Sequence, residues 1–217
     1  MQVAMWILWG TVLGAGCGWT ALLWAGQMLR TRGRKEQVLS WVQVVLVISA
    51  AVWGGVIGFY TDGWLAMVSA LAVLTVGIAV VVSDGLCRII PNPAVLALFG
   101  VKLLLMGASL LNIPGAPPVR LLSSLGGMVA CFLIFWAPGL VGKQVGPGDI
   151  KLAAAMGFLL GFSGALFAVV IMGALVLGYS VLQRKMPLLL FLQTNIPMGP
   201  FIAAGMMIAY MVACISS

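Results

Sequence analysis

The chain has 217 residues, 63% of them hydrophobic and only 7% charged, and it contains no histidine. A soluble domain of this length carries roughly a quarter charged residues. The composition therefore excludes a soluble globular protein, a disordered tail and a nucleic-acid reader, and it points to an all-α polytopic membrane helix bundle. The net charge of +7, from 11 Lys plus Arg against 4 Asp plus Glu, falls mostly between apolar runs, where basic residues act as topology signals.

Crossing about 30 Å of hydrocarbon at 1.5 Å per residue takes about 20 mostly apolar residues. The candidate spans in chain order are 3–27, 39–60, 64–83, 93–111, 120–141, 150–162, 164–182 and 196–215, about eight transmembrane helices. The breaks at Arg30–Glu36, Tyr60–Gly63, Asp84–Pro93, Asn112–Pro118, Gly142–Asp149 and Gln183–Pro187 carry charge, proline or glycine. The first run has no basic segment before it and ends in Arg30-Thr31-Arg32-Gly33-Arg34-Lys35, the reverse of a cleaved signal peptide. It is read as a retained helix with its N-terminus outside.

Nine basic residues (Arg30, Arg32, Arg34, Lys35, Arg88, Lys143, Lys151, Arg184, Lys185) collect on one side. The other side has Arg120, and Lys102 falls inside a span. Nine against one places the first side in the cytoplasm and both termini outside. From Asp149 to Leu182 there are 34 residues for two crossings, about 25 Å each, which is short. Either the bilayer thins there, or the first of the two helices begins inside a protein-lined aqueous cavity; the second alternative is preferred and puts Asp149 in a semi-enclosed polar site. Cys17, Cys87, Cys131 and Cys214 are far apart, with no CxxC pair, and read as small packing residues; no metal site is expected. Gly54-Gly55, Gly126-Gly127 and Ala153-Ala154-Ala155 are small residues of the kind found where membrane helices approach closely.

The four acidic residues are Glu36, Asp62, Asp84 and Asp149. Glu36 and Asp62 read as surface turn residues. Asp84 and Asp149 each stand at the cytoplasmic mouth of an apolar helix, where an ionisable group is costly and is a functional candidate by default. Asp149 could alternatively cap the helix from Ile150 onward, and Asp84 could be a turn residue paired with Arg88. Two close carboxylates cannot both ionise comfortably, so one holds a proton while the other stays charged. The charged one can take a proton from water as it attacks a carbonyl, and the protonated one can donate to the carbonyl oxygen. A chain without histidine lacks the usual base of a Ser/His triad and the usual ligands for zinc hydrolysis.

At these residues the chain resembles the type IV prepilin peptidases, membrane aspartic proteases of the GxGD class. Gly146-Pro147-Gly148-Asp149-Ile150-Lys151-Leu152 is similar to that family's GxGDxKL signature. Asp84 followed by Ile90-Pro91-Asn92 resembles its first aspartate motif, and Ile196-Pro197-Met198-Gly199-Pro200-Phe201 resembles its late Pro-x-Gly-Pro-Phe landmark. The resemblance covers about 64–217, a six-helix catalytic core, leaving 1–63 as two N-terminal helices joined by a short basic loop. It implies that Asp84 and Asp149 are catalytic, and that a short basic leader is removed from a prepilin or pseudopilin at the cytoplasmic face of the bacterial inner (plasma) membrane. No cofactor is implied beyond S-adenosylmethionine in members that also N-methylate the product. The loop between the first two helices lacks the two CxxC pairs many such members carry, which puts methylation in doubt.

Gly146, Gly148, Arg88, Pro91, Asn92, Lys151, Pro197, Gly199 and Pro200 are expected to shape the site. Ile90-Pro91-Asn92-Pro93 reads as a helix stop and restart. Lys151 could favour a charged carboxylate or snorkel to the interface, and Pro197 to Pro200 could offer an extended edge to a substrate. The Arg30–Lys35 cluster suits anionic membrane lipid better than a basic leader, which it would repel. Three other readings compete with this one. Presenilin-type proteases have a Tyr-Asp pair and a Pro-Ala-Leu motif, against Ser83-Asp84 and Pro-Met-Gly-Pro here. A small transporter or proton relay would use the same two aspartates. Phosphatidyl transfer would need further metal-binding aspartates.

Overall fold

A computed structural model describes residues 2–31, 33, 38–61, 63–111, 113, 120–140, 145–182 and 197–215. Glu36, Asp62, Arg32, Arg34, Lys35, Lys143, Arg184, Lys185 and Ile196 lie outside these residues. Every described regular element is a helix: α1 (Gln2–Arg30), α2 (Ser40–Tyr60), α3 (Trp64–Cys87), α4 (Asn92–Leu110), α5 (Leu121–Leu140), α6 (Pro147–Leu182) and α7 (Gly199–Ile215). Such apolar segments become helices because hydrocarbon offers backbone N–H and C=O groups no partner outside the segment itself. Six of the seven are long and apolar enough to cross a membrane, and α7, at 17 residues, is shorter.

Contacts between helices set their directions. The N-terminal turn of α7 meets Asp84 at the end of α3, while Tyr210, eleven residues on, donates a 2.8 Å hydrogen bond to Ser69 near the start of α3. The two therefore run antiparallel. Asp149 shares a cavity with Asp84 and Asn92, and Leu159 meets Lys102, so α4 and the first limb of α6 (147–160) run parallel, both away from the aspartates.

The second limb of α6 (162–182) runs the other way. Gly205 packs on Ala168 and Met172, and Phe201 packs edge-on against Tyr179 at 5.6 Å, so this limb is antiparallel to α7. The chain reverses at Gly161, whose φ of 75° and ψ of 177° interrupt the helix. A positive φ of this kind is open to glycine and strained for other residues. The reversal falls at Gly161 rather than between 162 and 164, and it turns α6 into two passes, so the described residues make eight in alternating directions. The first limb has 14 residues and spans about 21 Å.

Small residues set how closely the helices approach. On α1, Gly10, Gly14 and Gly18 face Gly54, Ala50 and Gly58 on α2, two stripes at four-residue spacing. A Cβ on Gly10 would strike the Gly54 carbonyl, and one on Gly54 the Gly10 carbonyl. Gly157 and Gly161 meet Gly127 of α5 in the same way, as expected where membrane helices pack without a hydrophobic driving force. Central α3 buries Val73, Val80 and Ser83 almost fully, while Leu104, Leu122 and Val170 on the periphery are exposed to the surroundings.

Candidate active site

Asp84 sits in the last turn of α3, which runs on to Cys87 instead of stopping at 83. Helix α3 closes with Arg88 in the left-handed region (φ 53°, ψ 40°), its N–H donating to the Asp84 carbonyl at 2.9 Å. Ile89 to Pro91 then run without helix, and Pro91 is the N-cap of α4, with proline again in that helix's first turn. This is the stop and restart that two prolines around Asn92 dictate.

Helix α6 begins at Pro147, three residues before the start expected from hydropathy, so Asp149 lies inside the first turn rather than capping a helix from Ile150. The Gly146 carbonyl accepts from the Asp149 and Ile150 N–H groups, at 3.0 and 3.3 Å. A carboxylate in a first helical turn is favoured by the N–H groups and the dipole there.

The two aspartates come together in a cavity of about 280 Å³ lined by Asp84, Arg88, Ile89, Ile90, Asn92, Gly146, Pro147, Gly148, Asp149 and Lys151. Asp84 is 5% exposed, and Asp149 is half-buried. The α7 N-terminus reaches the same place: the Gly199 N–H donates to Asp84 Oδ2 at 2.9 Å. The N-terminal turns of α4, α6 and α7 therefore converge on the cavity, and the positive ends of their dipoles face the carboxyl groups there.

The glycines of this region are explained by their neighbours. A Cβ on Gly199 would lie 2.7–2.8 Å from Asp84 Oδ2, Cβ and Cγ. One on Gly146 would come 2.9 Å from Asp149 Oδ2, and one on Gly148 would meet Ile90 Cβ at 3.2 Å. Gly148 therefore packs the Asp149 turn against the segment following Asp84. Of the residues singled out from the sequence, Arg88, Asn92, Gly146, Gly148 and Lys151 line the cavity with the aspartates. Pro91 is buried as the α4 cap and does not line the cavity. Gly199 touches Asp84, whereas Pro197 and Pro200 flank that contact without lining the cavity. Gly199 and Pro200 belong to a helix, and Phe201 and Ile202 N–H groups close its first turn on the Met198 carbonyl. The extended edge considered from the sequence is therefore absent at these two residues.

Lys102 and Ser123 carried no role in the sequence reading, and both prove to serve the break at Gly161. The Lys102 Nζ donates to the Leu159 carbonyl at 3.1 Å, and the Phe162 N–H donates to Ser123 Oγ at 3.1 Å. A lysine inside a candidate span was the one available signal, since a membrane-embedded cation needs a partner.

An all-α polytopic membrane bundle with two aspartates set in a cavity at one end is the class that fold and site define. A family model described as the type IV leader peptidase family matches residues 70–181, just over half of the chain, a stretch holding both aspartates, Lys102 and Gly161. The chain belongs to that family and is a multi-pass membrane peptidase. No curated protein and no solved structure matches it.

Proposed function

We propose that this protein is an aspartic endopeptidase that removes the short basic leader from type IV prepilins or pseudopilins at the cytoplasmic face of the bacterial inner membrane. The observation that carries the reading is the shared cavity: Asp84 and Asp149, on separate helices, line one space with Asp84 held by the Gly199 N–H. In this reading residues 64–217 form the catalytic unit, residues 1–63 precede it, and the substrate approaches through the membrane lipid.

Hydrolysis needs no group beyond the two carboxyls and water. The ionised carboxylate takes a proton from a water held between the pair, and the water oxygen attacks the scissile carbonyl carbon. The other carboxyl donates its proton to the carbonyl oxygen, giving a neutral tetrahedral species. Collapse of that species breaks the C–N bond: the leaving nitrogen takes the proton now held by the first carboxyl, and the second, now a carboxylate, takes back one hydroxyl proton as the C=O re-forms, which restores the pair.

The excess of basic residues on the aspartate side supports a cytoplasm-facing site, where an uncleaved basic leader would be retained. Co-expression of a prepilin with wild type, Asp84→Asn or Asp149→Asn in membranes tests the proposal through the mobility shift on cleavage. Wild type is expected to cut, and each variant to lose about 100-fold or more while remaining inserted. Normal cleavage by either variant would overturn the two-carboxylate mechanism. The same variants separate a peptidase from a proton-relay protein, which would not change precursor mobility.

A further inference from the structure

Lys102 stands on the inward stripe of α4, between Leu98 and Leu105, both buried. It lies ten residues beyond Asn92, and Leu159 lies ten residues beyond Asp149. Both Asn92 and Asp149 line the cavity, so each ten-residue offset corresponds to about 15 Å of helix rise. Because α4 and the first limb of α6 run parallel, the 3.1 Å bond from Lys102 Nζ to the Leu159 carbonyl sets their relative depth. A second contact on the same pair of helices, Phe99 against Phe158 with centroids 5.1 Å apart, lies beside it.

The Leu159 carbonyl needs such a partner because of the reversal. In an unbroken helix it would accept from the N–H of Ser163, four residues on, but Gly161 breaks the helix between them. The last carbonyls of a helix carry partial negative charge, and an ammonium supplies both charge and donors. On the far side of the break Ser123 serves the first freed N–H, that of Phe162. The two limbs are thus terminated by different residues, and the one ending at Lys102 carries Asp149 in its first turn.

We propose that Lys102 is a positioning residue for the peptidase reaction: it anchors the far end of the Asp149 half-helix and holds Asp149 level with Asp84. The proposal rests on the peptidase reading above. A slip of this limb by one turn would move Asp149 by about 5.4 Å along the bundle, taking it out of register with Asp84.

The test uses the full chain in proteoliposomes, with a peptide carrying a short basic leader before an apolar segment as substrate. Lys102→Met and Lys102→Gln are each expected to lower kcat at least about tenfold while KM stays within about twofold, and Lys102→Arg to restore most of kcat. Two neutral replacements are used so that, if one fails to insert, the other still decides. A second readout is independent of cleavage: the alkylation rate of Lys151→Cys by a water-soluble maleimide, followed on the peptide that carries residue 151 because Cys17, Cys87, Cys131 and Cys214 are also present. It should change at least about threefold when Lys102→Met or Lys102→Gln is added, and return with Lys102→Arg. Wild-type kcat together with an unchanged labelling rate in the neutral variants would overturn the proposal while leaving the peptidase reading intact. If wild type cuts nothing, the peptidase reading fails, and the labelling rate alone decides whether Lys102 sets the depth of Asp149.

Discussion

Asp84 has almost no exposed surface and one of its oxygens is already engaged by the α7 backbone. Its position therefore depends on how closely Gly199 can approach, and any side chain at 199 would contact the carboxyl group itself. Gly199→Ala is expected to displace Asp84 and lower kcat about 10–100-fold, because misplacement of a reacting group by about 1 Å costs that order. Gly146→Ala should do the same to Asp149. Kinetics on inserted protein with unchanged thermal unfolding would check both, and wild-type kcat in Gly199→Ala would show that the contact is not needed. Neither glycine has a positive φ, so the requirement comes from space and not from backbone conformation. The signature's order of residues is plain in the sequence, but the atom each glycine makes room for belongs to a carboxylate or a helix reached only through folding.

At the scale of the element, α1 and α2 are joined by the small faces of Gly10, Gly14, Gly18, Ala50, Gly54 and Gly58. Gly54→Leu would force the two backbones apart, and overpacking of this kind costs about 1–3 kcal/mol. Thermal unfolding in detergent should fall accordingly, with the loss largest in this hairpin; an unchanged transition would mean the pair is held elsewhere. The α5–α6 pair repeats the device at Gly127, Gly157 and Gly161. Gly54 and Gly127 were legible as close-approach sites, but Gly10, Gly14, Gly18, Ala50, Gly58, Gly157 and Gly161 were not, since a small residue in the sequence does not say which helix it faces. Element ends moved for a related reason. Hydropathy ends a span at the first polar group, whereas α3 carries Asp84 within its last turn and α6 carries Asp149 within its first.

Across the whole molecule, the alternating passes put Arg88 and Lys151 at the aspartate end with the end of α1, and Arg120 at the start of α5 at the other. Reversal at Gly161 brings Tyr179 back to the aspartate end, where it meets Phe201. In intact cells, a water-soluble, membrane-impermeant maleimide is expected to label Arg120→Cys from outside, and Lys151→Cys and Tyr179→Cys only after the cytoplasm is opened. External labelling of Tyr179→Cys would contradict the reversal. Burying the Lys102 ammonium within the bundle is costly, about 2.5–3.5 kcal/mol at a helix centre on insertion scales. Its bond to Leu159 and the end of the half-helix offset that cost.

The sequence by itself determined an all-helical membrane bundle, because apolar length is a local quantity that hydrocarbon thickness reads directly. It also carried the family, through short motifs whose spacing survives in one dimension. Only the tertiary structure decided the residue at which α6 turns, the partner of Lys102, and the carboxylate for which Gly199 makes room. Each of these depends on atoms from distant segments arriving at one place, and no local pattern of residues encodes that meeting.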